Sequence, residues 1–443
     1  MNERIIELVM QKKFSLLKEE LNEMMAVDIA EVFDELDKKN SIILFRLLSK
    51  DLASDVFSYL SGQQRKDIVE AIHETKLNEI IEELYFDDMI DFLEEMPANV
   101  VKKILITATD EERKLINQFL NYPENSAGSL MTIEYVDLKK EMTVKKALEH
   151  IKKTGVDKET IYTCYVLNEK RKLEGIVSLR KLVLLEDHLL IEDIMNEDYI
   201  SCTTLDDQEE IAGLFKKYDL LTVPVVDKEA RLVGIITIDD IVDVIEQENT
   251  EDFQKMAAMS PNDEEYLFSN VFSLARKRVL WLAILLVTAT FTEMIIGKFE
   301  SILTAVHVLA ASIPMLMDTA GNAGAQSSTL IIRGIALGEV ELTDYLKVFW
   351  KEFRVSSIVG SSLAAINLIR MIVLGTEMAV ALTVSITLLL TIMMAKVIGG
   401  TLPIVAKKLK LDPAIMAGPL ITTIVDVMAL LVYFNIAGFL IGF

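Results

Sequence analysis

The chain has 443 residues, 51% of them hydrophobic, with 68 acidic against 45 basic side chains and a net charge of −23. Ten acidic and ten basic residues lie from Val279 onward, so the whole net charge falls on positions 1–278 and the remainder is neutral and apolar. An acidic front part repels phosphate backbones, which argues against nucleic acid as a partner. Two cysteines, Cys164 and Cys202, cannot build a disulfide framework and lack zinc-site spacing. The first stretch alternates charged and apolar residues and holds no secretory core. The expected organisation is a cytosolic acidic module followed by a membrane module.

Residues 1–130 contain a repeat. Glu31-Val-Phe-Asp-Glu-Leu36, Asp55-Val-Phe-Ser-Tyr-Leu60 and Glu79-Ile-Ile-Glu-Glu-Leu84 recur every 24 positions. Each unit predicts a pair of short helices, and such units stack into an α-solenoid because none can bury its apolar face alone.

A second duplication follows. Ile161–Ser178 aligns without gaps with Leu220–Thr237 at a constant offset of 59, and the first copy carries extra residues near Gly155. Each copy predicts helix, strand, turn, strand, helix. This arrangement resembles a tandem pair of cystathionine-β-synthase-type (CBS) α/β domains, here 131–196 and 197–247. CBS pairs often hold adenine nucleotides on a Gly-x-x-Ser/Thr-x-x-Asp motif. The second copy keeps Thr237 and Asp240, whereas the first has Lys181 in the Asp position.

Residues 248–278 predict a linking helix, broken near Pro261. Its start is acidic and its end, Arg276-Lys-Arg278, is basic, which suits the helix dipole and lipid headgroups. Five apolar stretches then follow, roughly 279–296, 303–332, 355–374, 378–405 and 414–441. Each is long enough to cross about 30 Å of hydrocarbon. Lys and Arg concentrate on one side of these stretches, placing the amino terminus in the cytoplasm and the carboxy terminus outside.

Polar residues inside spans are costly and mark function. In the second stretch Pro314, Asp318, Gly321 and Asn322 recur at spacings of three and four, and Pro, Gly and Asn predict an opened helix with freed carbonyls. In the fifth, Thr422 and Asp426 lie one turn apart, and Asp426 sits mid-helix with no Lys or Arg in its span.

Together these parts resemble the MgtE family of magnesium channels and transporters over essentially the whole chain. The most specific motifs are Asp318-x-x-Gly-Asn322-x-Gly-x-Gln-Ser-Ser, Asp412-Pro-Ala…Gly-Pro-x-x-Thr-Thr-x-x-Asp426, and Asn125-Ser-Ala-Gly-Ser-Leu-Met131-Thr. The resemblance implies a multidomain membrane protein: N-terminal α-solenoid, CBS pair, a connecting plug helix, and a five-helix all-α transmembrane domain over 279–443. It implies a homodimer in the plasma membrane with a pore at the subunit interface, and Mg²⁺ as both substrate and regulator. Asp426 matches the pore carboxylate, with Asp318, Gly321, Asn322, Ala417 and Thr422 lining the path. The family's cytosolic Mg²⁺-sensing residues carry over to Asp207, Glu209, Asp219, Asp240 and Asp243 in the second CBS copy. They carry over also to Glu251 and Asp252 on the plug, to Asp412, and to Asp87 and Asp91 in the helical repeat. The nucleotide site maps near Arg180, with Thr237 and Asp240, so ATP is a candidate ligand from which Lys181 departs.

The physical account agrees. Mg²⁺ dehydrates reluctantly, so one or two carboxylates plus retained waters suit it. Facing cytosolic carboxylates repel one another until a cation bridges them, which predicts closure by high internal Mg²⁺. No enzymatic activity is expected. The alternatives are a transporter of the same fold for Co²⁺, Mn²⁺ or Ni²⁺, disfavoured by the lack of His or Cys near Asp426, and an intramembrane aspartyl protease using Asp318 and Asp426, disfavoured by the missing Gly-x-Gly-Asp.

Overall fold

The computed structural model describes residues 2–81, 83–262, 266 and 269–441. It divides into two compact units, Met1–Ile245 and Glu246–Phe443.

The first unit begins with short helices of eight to ten residues, from Asn2–Met10 to Asp110–Phe119. A new helix starts every twelve residues; Asp37 caps one start through the Asn40 N–H, and Ser61/Gln64 and Thr109/Glu112 form capping boxes at two others. The 24-residue spacing puts Phe33 and Phe57 at equivalent places, and both are buried. Phe33, Phe45, Phe57 and Phe92 stack in a row with centroids 6.4, 6.0 and 5.2 Å apart. This core is continuous with Ile211, Phe215, Val223 and Ile236 of the second CBS domain.

The CBS pair contributes two three-stranded sheets, β1 (Val136–Leu138), β2 (Thr163–Leu167), β3 (Leu173–Ser178) and β4 (Cys202–Thr203), β5 (Thr222–Val226), β6 (Leu232–Thr237). In each, the first strand is parallel to the second and the second antiparallel to the third. The duplication is visible in the register: Thr163 faces Ser178, Thr222 faces Thr237, and both hairpins shift register at the equivalent place, Val166/Leu167 and Val225/Val226. The extra residues of the first copy include a 3₁₀ turn, Gly155–Asp157. Tyr135, Tyr165, Leu173, Leu232 and Ile235 form a core shared by the two copies, with the Tyr165 hydroxyl 2.9 Å from Thr222 Oγ1. Cys164 and Cys202 are buried and unbridged.

The linker helix differs in extent from the expectation. It runs unbroken from Ile238 to Met256 and stops there. Ala258 takes a left-handed conformation (φ +53°), and Pro261 has no N–H to continue the ladder. Arg276–Arg278 belong instead to the next helix, capped by the Asn270 side chain at 2.8 Å from the Phe272 N–H.

Five long helices follow: α1 (Val271–Lys298), α2 (His307–Ala336), α3 (Tyr345–Val373), α4 (Met378–Lys408) and α5 (Gly418–Ile441). Among the described residues, four segments are long and apolar enough to cross a membrane: Val271–Lys298, Leu342–Val373, Met378–Lys408 and Pro413–Ile441. The polar α2 is not among them, although its 30 residues would span about 45 Å at 1.5 Å each. It lies in the bundle core instead. Leu309, Leu316 and Ala320 of α2 pack with Val384 and Ile392 of α4 and Ile421, Val425 and Tyr433 of α5. The buried Tyr433 hydroxyl donates to the Leu309 carbonyl at 2.9 Å.

Candidate ion path and cation-sensing carboxylates

Glycine sets how closely the path helices approach. A Cβ on Gly399 would lie 2.2 Å from the Gly324 carbonyl oxygen, and one on Gly321 would lie 2.8 Å from Thr422 Cγ2. Helices α2 and α4 therefore meet backbone to backbone, while α5 lays its Thr422 and Ile421 side chains onto Gly321 and Gly324 of α2. Gly399→Val is expected to force α4 off α2, at a cost of about 1–3 kcal/mol or more. The check is a melting temperature in detergent several degrees below that of the parent chain.

The sequence expectation of an opened helix at Gly321 and Asn322 is corrected. Helix α2 is continuous through both residues. Gly321 also leaves the exposed row, being buried against Thr422, while Pro314, Asp318 and Asn322 are exposed. Glycine here serves close approach, and alanines on either side keep the hydrogen-bond ladder intact. The break lies in the fifth stretch. Pro413–Met416 is a 3₁₀ turn, Ala417 is extended and Gly418 has φ +35°. Asp412 caps this elbow, accepting from the Ala414 N–H at 2.8 Å. Ser328 of α2 fastens it by donating to the Met416 carbonyl at 2.9 Å.

Asp426 projects from α5 half-buried, and its Oδ1 has no hydrogen-bond partner among the described residues. The exposed Asp318 is near enough to act on it electrostatically. Thr422 spends its hydroxyl on the Gly418 carbonyl at 3.0 Å, so it shapes the wall and offers no free donor. An orphaned buried carboxylate oxygen beside a second carboxylate is costly unless a cation or water meets it.

The linker helix ends against this elbow. A Cβ on Gly418 would meet the Met256 carbonyl oxygen at 2.8 Å. Lys255 Nζ lies 2.6 Å from Asp412 Oδ2 and also pairs with Glu251. Burial and the neighbouring Asp412 push Asp252 up to about 6. Three expected sensing residues, Glu251, Asp252 and Asp412, are thus gathered in one place.

The first unit holds a second gathering. Asp87, Asp91 and Asp240 come together, with Asp88 and Asp239 beside them. Desolvation by the surrounding protein, then mutual repulsion, raises Asp87 well above the ordinary carboxylate range and Asp91, whose side chain still reaches the surface, to about 7. Burial carries Asp240 to about 6, although Thr237 Oγ1 donates to it at 2.6 Å. The sequence reading missed Glu134 and Glu159. Burial and like charges push Glu159 to about 7, and both residues have a buried Oε2 without a partner among the described residues. They are joined by a Glu159 N–H to Glu134 carbonyl bond of 3.0 Å. Nothing in their spacing signals this, because only chain pairing beside β1 and β2 brings them together.

The remaining sensing candidates are dispersed. Asp207 caps the Gln208–Tyr218 helix through the Glu209 N–H at 2.9 Å, and Asp219 closes its other end with φ +51°. Asp207, Glu209, Asp219 and Asp243 are exposed. Among the described residues no three His, Cys, Asp or Glu side chains form a ready metal cage. The clustered donors are carboxylate oxygens, with neither His nor Cys, which suits a hard cation that keeps its waters.

The nucleotide candidates divide. Thr237 and Asp240 bond each other, and Asp240 is shared with the acidic cluster. Arg180 is exposed, while Lys181 turns its ammonium to the Ile194 carbonyl.

A CBS pair joined by one helix to an apolar bundle with a carboxylate-bearing break is the architecture of a multi-pass membrane protein that carries an α/β module. Family models agree piece by piece: a divalent cation transporter model matches residues 313–436, an MgtE intracellular N domain 24–125, and CBS domains 127–186 and 191–247. The chain is 37% identical to the magnesium transporter MgtE of Thermus thermophilus over 96% of this chain and 95% of that one. It is 34% identical to MgtE of Bacillus subtilis, over 98% and 96%. The chain belongs to the MgtE family. Among solved structures, it resembles the cytosolic domain of the Mg²⁺ channel MgtE in complex with ATP (34% identity, TM-score 0.53, 55% of this chain and 100% of that one). It also resembles the soluble part of a magnesium transporter (31%, TM-score 0.52, 56% and 97%).

Proposed function

We propose that this protein carries Mg²⁺ into the cell across the plasma membrane as a homodimer, and that cytosolic Mg²⁺ closes it. The single observation that carries the path is Asp426, whose buried Oδ1 lacks a partner among the described residues and which lies two turns beyond the broken start of α5. Two copies related by a dimer axis would bring two such carboxylates to one hydrated cation. On this reading α2 is the fifth span, its polar row shielded from lipid by the second copy, with the amino terminus cytoplasmic and the carboxy terminus outside. The division at residues 130, 196, 247 and 278 belongs to the same reading.

Feedback rests on the two carboxylate gatherings. Without cation the carboxylates of each gathering repel one another, relieved at the elbow only by Lys255; Mg²⁺ bridges them, reinforces the seat of the linker helix on the elbow at Asp412, and the path closes. Asp207, Glu209, Asp219 and Asp243 lie on the surface and would meet cations with groups outside the described set. ATP is proposed as a ligand of the second CBS copy at Thr237 and Asp240, where it competes with the acidic cluster for Asp240. Tracer Mg²⁺ uptake into reconstituted vesicles, with and without internal Mg²⁺, tests the reading; uptake that ignores internal Mg²⁺ would refute the feedback.

The raised carboxylates give a pH signature. Their folded-state values near 6 to 7 exceed the unfolded values of about 4. Protonation therefore favours the folded form: this stabilisation is complete below about pH 4 and lost as the pH rises through about 6 to 7. In chelator the melting temperature of the cytosolic transition is expected to fall between about pH 5 and pH 8. Millimolar Mg²⁺ replaces the protons and removes most of that fall at the alkaline end.

A further inference from the structure

A buried polar network lies beside the path and is not used by it above. Glu352 on α3 and Lys396 on α4 are only 8% and 6% exposed. An ionisable side chain inside a membrane bundle is expensive and marks function by default. Ser327 of α2 stands between the two. Its Oγ donates to Glu352 Oε2 at 2.6 Å, and Lys396 Nζ reaches Ser327 Oγ at 3.5 Å and Gln326 Oε1 at 3.3 Å. Gly400 makes the room, since a Cβ there would lie 2.7 Å from Glu352 Cγ.

Gln326 is where this network reaches the surface of the bundle. It is exposed, one helical repeat of four residues beyond Asn322 and eight beyond Asp318, both exposed as well. The row that carries Asp318 and Asn322 therefore continues to Gln326. We infer that Gln326 is a third oxygen-bearing residue of the ion path, and that Lys396, Ser327 and Glu352 are positioning residues that hold it there. This rests on the proposed reading that the Asp318–Asn322 row faces the path.

The chemistry fits a hydrated dication. An amide oxygen has two lone pairs; Lys396 takes one, and the other can accept from a water of the Mg²⁺ shell, which the ion keeps. An ammonium so close to the path would by itself repel a dication. Glu352, linked to it through a single hydroxyl, cancels that charge. The four residues thus supply an oriented acceptor without a net barrier.

Initial rates of Mg²⁺ uptake into vesicles, measured against external Mg²⁺, test this. Gln326→Leu is expected to raise the half-saturating Mg²⁺ about three- to tenfold, the effect of losing one uncharged hydrogen bond to a water of the ion's shell. Lys396→Met shifts it the same way by freeing the amide. Glu352→Gln leaves Lys396 uncompensated and lowers the maximal rate. The double variant Glu352→Gln/Lys396→Met recovers the maximal rate while half-saturation stays raised, which a purely structural role would not produce. Unchanged half-saturation in Gln326→Leu overturns the assignment of Gln326. A double variant no faster than Glu352→Gln overturns the charge-balancing role. Gln326→Leu alters an exposed position and keeps the test open should the buried variants not fold. Full uptake by Asp426→Ala would instead overturn the path reading on which the inference stands.

Discussion

Asp426→Ala is expected to reduce Mg²⁺ uptake in reconstituted vesicles about 100-fold or more while leaving the protein folded. Asp426 is the charged group of α5, and its Oδ1 is satisfied by no protein donor among the described residues. Alanine therefore removes no described internal hydrogen bond of Oδ1 and lifts the cost of burying a carboxylate. What it removes is the oxygen that meets the hydrated ion. A hydrogen bond to a charged group contributes about 1.5–3 kcal/mol, and the proposed dimer loses two. The sum, about 3 kcal/mol or more, corresponds to about two orders of magnitude. Asp426→Asn keeps an oxygen but no charge, and its rate should fall between the two. Uptake of Asp426→Ala within about threefold of the parent chain would remove Asp426 from the path.

Asp87→Ala with Asp240→Ala abolishes inhibition by internal Mg²⁺ over the range that closes the parent protein. Both side chains lie in the acidic cluster with Asp91, Glu134 and Glu159, all but the exposed Asp91 partly buried. Cation binding there must displace protons from groups that titrate near 6 to 7, so inhibition in the parent chain should itself weaken as the pH is lowered from about 8 to 6. The double variant removes both the repulsion and the ligands. Its uptake should be insensitive to internal Mg²⁺ at either pH. Retained inhibition with an unchanged half-point would exclude the cluster as sensor and leave Glu251, Asp252 and Asp412 at the elbow. The same measurement on Asp207→Ala with Glu209→Ala separates the exposed end of the Gln208–Tyr218 helix from the acidic cluster.

The glycines show how differently one residue type reads in sequence and in structure. Gly321 beside Asn322 suggested a broken helix, yet α2 is intact and Gly321 admits Thr422. The actual break is at Ala417 and Gly418, in the Pro-flanked start of the fifth stretch. Local propensity permits either outcome at a glycine, and the neighbouring helix decides which occurs.

Periodicity, duplication and charge distribution were sufficient by themselves for the α-solenoid, the CBS pair, the apolar bundle and the motif residues Asp318 and Asp426. These are repeating or compositional signals, and a chain must express them locally to bury its apolar faces. Only the tertiary structure gathered Asp87, Asp91 and Asp240 with Glu134 and Glu159, set Lys255 between Glu251 and Asp412, and tied Gln326 to Glu352 through Lys396 and Ser327. Such proximities join residues up to some 150 positions apart. They depend on how helices and sheets pack, because the energy of a buried charge is fixed by its neighbours in space and leaves no periodic trace along the chain.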